Sequence, residues 1–178
     1  MANEDGSSGL DAYKIGRAYP VMPIPMVPEA CTDVAAGPIT FVVEGRRLTD
    51  EAILTNAAAR GGLDAIEQPS GVDDGGMSIH VLGTDDGLEH LRFDCFEFEP
   101  HYHYIDNVGQ ANVVVRIDTF AEGDPTAWSL RCLRERLPEM LGHAGKVELA
   151  QQVRAAAGEV RDGVDRVEAM VTRSVPSA

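Results

Sequence analysis

The sequence predicts an α+β fold: an antiparallel β-meander with one packed helix, followed by a C-terminal helical hairpin or coiled-coil segment. Three observations carry this reading. Between residues 77 and 119, β-rich runs are separated by the turn signals Thr84-Asp85-Asp86-Gly87 and Asn107-Val108-Gly109. Thr49 followed by Asp50 and Glu51 is a helix start, with a hydroxyl cap and acids in the positive first turn. Ala150, Val153, Ala157, Val160, Val164, Val167 and Val171 recur at alternating steps of three and four, the spacing of an a/d seam.

Taken in order, residues 1–38 read as an extended, proline-rich arm. Pro20, Pro23, Pro25, Pro28 and Pro38 exclude regular helix, while Val21, Met22, Ile24, Met26 and Val27 are too apolar for a solvated tail. The arm is expected to dock on its own protein. Residues 39–122 form the α+β domain. It opens with a short strand, Ile39–Val43, closed by Glu44-Gly45. The helix after Thr49 buries Ile53, Leu54, Ala57 and Ala58 against the sheet and stops at Gly61-Gly62, and 68–76 is an acidic surface loop. Strands follow at 77–83, at 90–99 with a continuation over 101–106, and at 112–119.

Residues 123–173 read as a helical oligomerisation segment, with 174–178 a frayed tail. Asp124-Pro125 caps and opens a helix, and Pro138 interrupts it. A longer helix is expected from about Gly145 to Thr172. Its slim seam of Ala and Val needs a partner, either the 125–141 helix folded back on it or another subunit.

The formal charge is −14, and it is uneven: residues 1–124 hold 7 Lys/Arg against 22 Asp/Glu, and the remainder 8 against 7. Such an acidic surface repels phosphate backbones, so nucleic acid is not an expected partner. No window approaches the eighteen or so apolar residues of a membrane span. Cys31, Cys95 and Cys132 are odd in number and far apart, which fits neither a disulfide framework nor a zinc ribbon. A cytoplasmic protein is expected.

The chemistry concentrates in Phe93-Asp94-Cys95-Phe96-Glu97-Phe98-Glu99-Pro100-His101-Tyr102-His103-Tyr104-Ile105. His101 and His103 are two apart. On a strand that spacing aims both imidazoles to one face, with Tyr102 and Tyr104 on the other. Asp94, Glu97 and Glu99 are candidate carboxylate partners, and His80 or His90 could reach the same place across a hairpin. Two imidazoles and a carboxylate are the minimum for one divalent iron, manganese or zinc ion with open positions. A cupin also starts from a His-x-His pair. Here Asp106 rather than Glu follows, and 112–119 holds no histidine, so cupin residues do not transfer. Leu91, Phe93 and Cys95 share one strand face, yet Phe96 and Phe98 lie on the other with Arg92 and Asp94. The strand is therefore covered on both sides or slips at a bulge near Cys95–Phe96. Cys95 itself reads as a small buried hydrophobe.

Arg92-Phe93-Asp94-Cys95-Phe96 followed by Pro100-His101-Tyr102-His103-Tyr104 resembles a motif of small uncharacterised bacterial and archaeal proteins. The resemblance spans roughly 39–120 and implies that both segments belong to one module. It brings no activity with it. No glycine-rich phosphate loop, nucleophile elbow or His-Glu-x-x-His occurs. The expected function is thus a non-catalytic accessory or scaffold protein. It forms a homo-oligomer through its C-terminal helices and binds a partner, metal ion or small ligand with its α+β domain, with membership of a larger protein complex as a further expectation. The alternative is a metal-dependent enzyme built on His101 and His103.

Overall fold

A computed structural model describes residues 16–60 and 70–173. The expected Gly61-Gly62 helix stop and the 174–178 tail fall outside these residues. The strands are β1 (Arg17–Tyr19), β2 (Cys31–Ala36), β3 (Ile39–Thr49), β4 (Asp73–Gly83), β5 (Glu89–Phe96), β6 (His101–Asp106) and β7 (Ala111–Arg116). The helices are α1 (Asp50–Ala59), α2 (Thr119–Glu122), α3 (Pro125–Glu135), α4 (Leu137–His143), α5 (Val147–Ala155) and α6 (Ala157–Arg173). The strands form one sheet in the order β1-β7-β6-β5-β4-β3-β2, with every neighbouring pair antiparallel.

Alternation of side chains gives this sheet two unlike faces. Val34, Phe41, Val43, Ile79, Val81, Leu91 and Phe93 point to one side, where Leu130, Leu133, Leu137, Leu141, Val153, Val160, Val164 and Val167 cover them. This is the hydrophobic core, and the C-terminal helices make half of it. The seam of the last helix is therefore answered within the chain: α6 packs on β2, β3 and α3. The expected single helix is two, broken at Ala156, which caps α5. The break lets each half bury a different surface, since α5 packs against α4. Ala157 consequently lies exposed, outside the buried seam.

Other expectations change for similar long-range reasons. β3 continues through Glu44-Gly45 because the Glu44 carboxylate is held by Arg46 at 2.9 Å and by His80 at 3.0 Å. β4 starts at Asp73, inside the expected loop. Gly76 permits this, since a Cβ there would collide with the Cys95 carbonyl on β5. Thr49 does cap α1, accepting from the Ala52 amide at 3.2 Å. That helix buries only Ala57 and does not cover the core. Finally, 101–106 is no continuation of 90–99. Residues 97–100 turn, and β6 folds back beside β5. The Asp74 carboxylate fixes that turn by accepting from the amides of Phe98 at 3.1 Å and Glu99 at 2.8 Å.

The arm joins the sheet at both ends. β1 and β2 are opposite edges, so residues 20–30 between them must cross a face, and they cross the polar one. Asn112 of β7 donates to the Val21 carbonyl at 2.6 Å, and Arg92 of β5 donates to that of Ile24 at 2.8 Å. Arg46 of β3 reaches Ile24 and Pro25, and Val27 donates to Glu44 at 2.9 Å. From β7 to β3 is four strand spacings of about 4.8 Å. Six residues of extended proline-rich chain at about 3.1 Å each cover the same ~19 Å. The strap runs taut, with its carbonyls turned onto Asn112, Arg92 and Arg46 of the sheet and onto Arg60 at the end of α1.

Candidate functional site

Cross-strand register builds the site on the polar face. Arg92 lies opposite His80 on one side and His103 on the other, and Asp94 lies opposite Ser78 and His101. Because β6 alternates, His101 and His103 share this face while Tyr102 and Tyr104 point to the core side, where Tyr102 stacks on Phe93 with ring centroids 5.8 Å apart.

Asp94, His101 and His103 converge. His103 Nε2 lies 3.0 Å and His101 Nε2 3.3 Å from the same Asp94 oxygen, Oδ2. The other carboxylate oxygen accepts from the Ser78 hydroxyl. Each imidazole is also held from behind. His101 Nδ1–H donates to the Glu99 carbonyl at 2.7 Å, and His103 Nδ1–H donates to Asn112 Oδ1 at 2.9 Å. The Asn112 amide cannot be turned over, because its nitrogen is needed at the Val21 carbonyl. Asp94 is 4% exposed at its side chain, His103 9% and His101 17%, so the cluster meets solvent on the His101 side. Phe96 sets its ring edge-on to His101, with centroids 5.6 Å apart.

The electrostatics divide the two histidines. Burial alone would push the Asp94 carboxyl up, but hydrogen bonds from His101 and His103 hold it well below its ordinary value. Burial also opposes charge on His101, but Asp94 outweighs it and raises the pKa. For His103 burial wins and the pKa falls. With Nδ1–H given to Asn112, His103 turns Nε2 toward a carboxylate oxygen 3.0 Å away. A buried imidazole nitrogen and carboxylate oxygen at that distance share a positive centre, either a proton or a metal ion.

The distances from Asp94 Oδ2 to the two Nε2 atoms fit a shared metal ion as well as they fit direct hydrogen bonds. With bonds of about 2.0–2.2 Å, neighbouring ligand atoms sit roughly 3.0 Å apart at right angles and 3.3–3.4 Å apart in a tetrahedron. Imidazoles tied back through Nδ1 and a carboxylate tied back through its second oxygen are the usual outer support of such a centre. These three residues are the group among the described residues that could hold an ion.

The remaining sequence candidates lie elsewhere. Glu97 is exposed in the turn, and Glu99 pairs with Arg116 at 2.5 Å, contributing only its carbonyl to His101. His80 belongs to a second buried network, bonded to Glu89 at 2.6 Å and Glu44 at 3.0 Å. Arg92 grips Glu89 through two 2.8 Å bonds. A register shift next to Leu82 makes this possible: Val81 pairs Leu91 but Leu82 pairs Glu89, so His90 is the extra residue. The bulge turns Glu89 onto the Arg92 face, and it sits here rather than near Cys95–Phe96. His90 points to the helical side, where it bonds Asp86 at 3.1 Å and stands near Lys146. Burial pushes the Cys95 thiol up to about 11, as befits a core residue. Ser78, Asn112, Glu44 and Glu89 escaped the sequence reading. Only their parity on strands of known register singles them out. A cavity of about 640 Å³ opens between the strap and Arg92, lined by Met22, Met26, Arg60 and Glu89 but not by the triad.

Fold and site together define an antiparallel α+β domain that carries a buried two-histidine, one-carboxylate cluster on a strap-covered polar face. The chain belongs to a family described as a domain of unknown function (DUF7700), whose match covers residues 33–171. The match takes in the helical segment, which the sequence-level resemblance over 39–120 left out. That agrees with a core shared between sheet and helices. No curated protein and no solved structure matches the chain.

Proposed function

We propose that this domain is a metal-binding protein whose Asp94, His101 and His103 hold one first-row divalent ion, iron, manganese or zinc. One observation carries the reading. Both Nδ1 atoms are committed to oxygen acceptors, so both Nε2 atoms are left to converge on a carboxylate oxygen. Three protein ligands leave one position of a tetrahedral ion, or three of an octahedral one, for water or a small ligand. Such centres serve hydrolysis, isomerisation and oxygen chemistry alike.

Elemental analysis of protein purified without a histidine tag tests the proposal. Near-stoichiometric metal is expected, lost in a His101→Ala, His103→Ala variant whose circular dichroism stays native. Protein that takes up no zinc, manganese or anaerobic iron(II) would overturn it. The scaffold reading comes second, because the seam that favoured assembly between chains is already covered by the chain's own sheet.

A further inference from the structure

We infer that Asn112 is a positioning residue for the metal site and that, through it, metal binding and closure of the 20–27 strap are energetically linked. The inference rests on the metal reading above and extends it to a part of the chain that contributes no ligand.

Asn112 faces two ways. Its amide nitrogen donates to the Val21 carbonyl of the strap at 2.6 Å, and its amide oxygen accepts from His103 Nδ1–H at 2.9 Å. These roles cannot be exchanged independently. Were the amide reversed, its oxygen would face the Val21 carbonyl, acceptor against acceptor, and its nitrogen would demand a lone pair on His103 Nδ1. That tautomer carries its proton on Nε2, the atom that must be bare to ligate an ion. The strap therefore selects the ligating form of His103, and an ion on Nε2 in turn holds the amide oriented for Val21. Asn112 is buried, 5% exposed, so water is a poor substitute for either partner. The adjoining β1 pairs Tyr19 with Asn112, which ties the same residue to the start of the strap. By reciprocity, whatever zinc adds to strap closure the closed strap adds to zinc affinity.

The test is hydrogen–deuterium exchange of peptides covering residues 17–27 in full-length protein, with zinc(II) and after chelation. Zinc affinity is measured beside it by competition with a fluorescent chelator. In the wild type, zinc should slow exchange there about fivefold or more. Asn112→Asp keeps an acceptor for His103 but loses the donor to Val21. Its strap exchange should no longer respond to zinc, and by the same linkage its zinc affinity should drop by the strap's share while staying above that of Asn112→Leu. Asn112→Leu loses both contacts and should bind zinc about 10–100-fold more weakly, the usual cost of removing a residue that orients a ligand. Wild-type protein that binds zinc with no change in strap exchange would overturn the linkage and leave the metal reading standing. Asn112→Leu that binds like wild type would overturn the positioning role. Wild-type protein that binds no zinc, manganese or iron(II) would remove the reading beneath both.

Discussion

Among single residues, His80 is fully buried with a carboxylate at each nitrogen. Burial pushes its imidazole down, but the hydrogen bonds to Glu44 and Glu89 outweigh burial and hold its pKa above the ordinary value. Burial pushes Glu89 up, and Arg92 and His80 overcome it, taking the carboxyl from 4.5 to about 2. The signs give a stability window. Glu89 contributes above its unfolded pKa of 4.5, and the contribution is lost as pH falls toward 2. His80 contributes fully below 6.5, and its share is lost as pH rises through the raised folded value. A displacement of this size for Glu89 corresponds to on the order of 3 kcal/mol. Urea unfolding of chelator-treated protein should therefore show stability falling at both ends. His80→Asn should flatten the alkaline limb and Glu89→Gln the acid limb. An alkaline limb unchanged in His80→Asn would contradict this assignment. Arg92→Met should cost roughly 3–5 kcal/mol at neutral pH, because the buried Glu89 charge loses its two guanidinium bonds.

At the level of elements, α6 shows why a weak helix former can stabilise a fold. In isolation both Gly158 and Gly163 lower its helix propensity by about 1 kcal/mol each relative to alanine. Their surroundings differ. A Cβ at Gly163 would lie 2.5 Å from the Ala36 Cβ and 3.2 Å from Phe41, whereas nothing stands within 4 Å at Gly158. Gly163 is thus the point where α6 meets β2, and Gly158 is an exposed helical position with open space around it. Gly163→Ala should cost about 1–3 kcal/mol through overpacking. Gly158→Ala should gain about 0.4–1 kcal/mol by restricting the unfolded chain. Denaturation followed by the single tryptophan, Trp128, reads both, since that ring packs 6.2 Å from Phe93 and 5.4 Å from Tyr102. Equal effects of the two substitutions would mean that α6 does not sit on the sheet as described.

Across the whole molecule, one sheet is closed on both faces by the two ends of the chain. The C-terminal helices supply the apolar cover and the N-terminal strap the polar one. Removing residues 145–178 should therefore destroy the fold instead of freeing a folded α+β domain from an assembly segment. Val153, Val160, Val164, Val167 and Val171 would leave the core together. Loss of near-ultraviolet circular dichroism and binding of a hydrophobic dye would register it. A soluble, cooperatively unfolding 1–144 fragment would count against a shared core.

How much of this could be read from residue order follows from the range of the forces involved. Caps at Thr49 and Asp124 and the break near Pro138 are local, settled within a turn of backbone. The facing of His101 and His103 needed only the strand's two-residue period, and it placed both rings on one side with Tyr102 and Tyr104 on the other. Which acid meets them was beyond reach. Asp94, Glu97 and Glu99 were equal candidates until the 97–100 turn, held from Asp74, set Asp94 opposite His101. Glu89 reached the polar face only through a bulge at His90, and one extra residue inverts every parity beyond it. Heptad spacing announced a buried stripe from 150 to 171 without saying what would bury it. Periodicity fixes the direction in which a side chain points; the neighbour it finds there depends on register and packing between residues far apart in the chain, which no local pattern encodes.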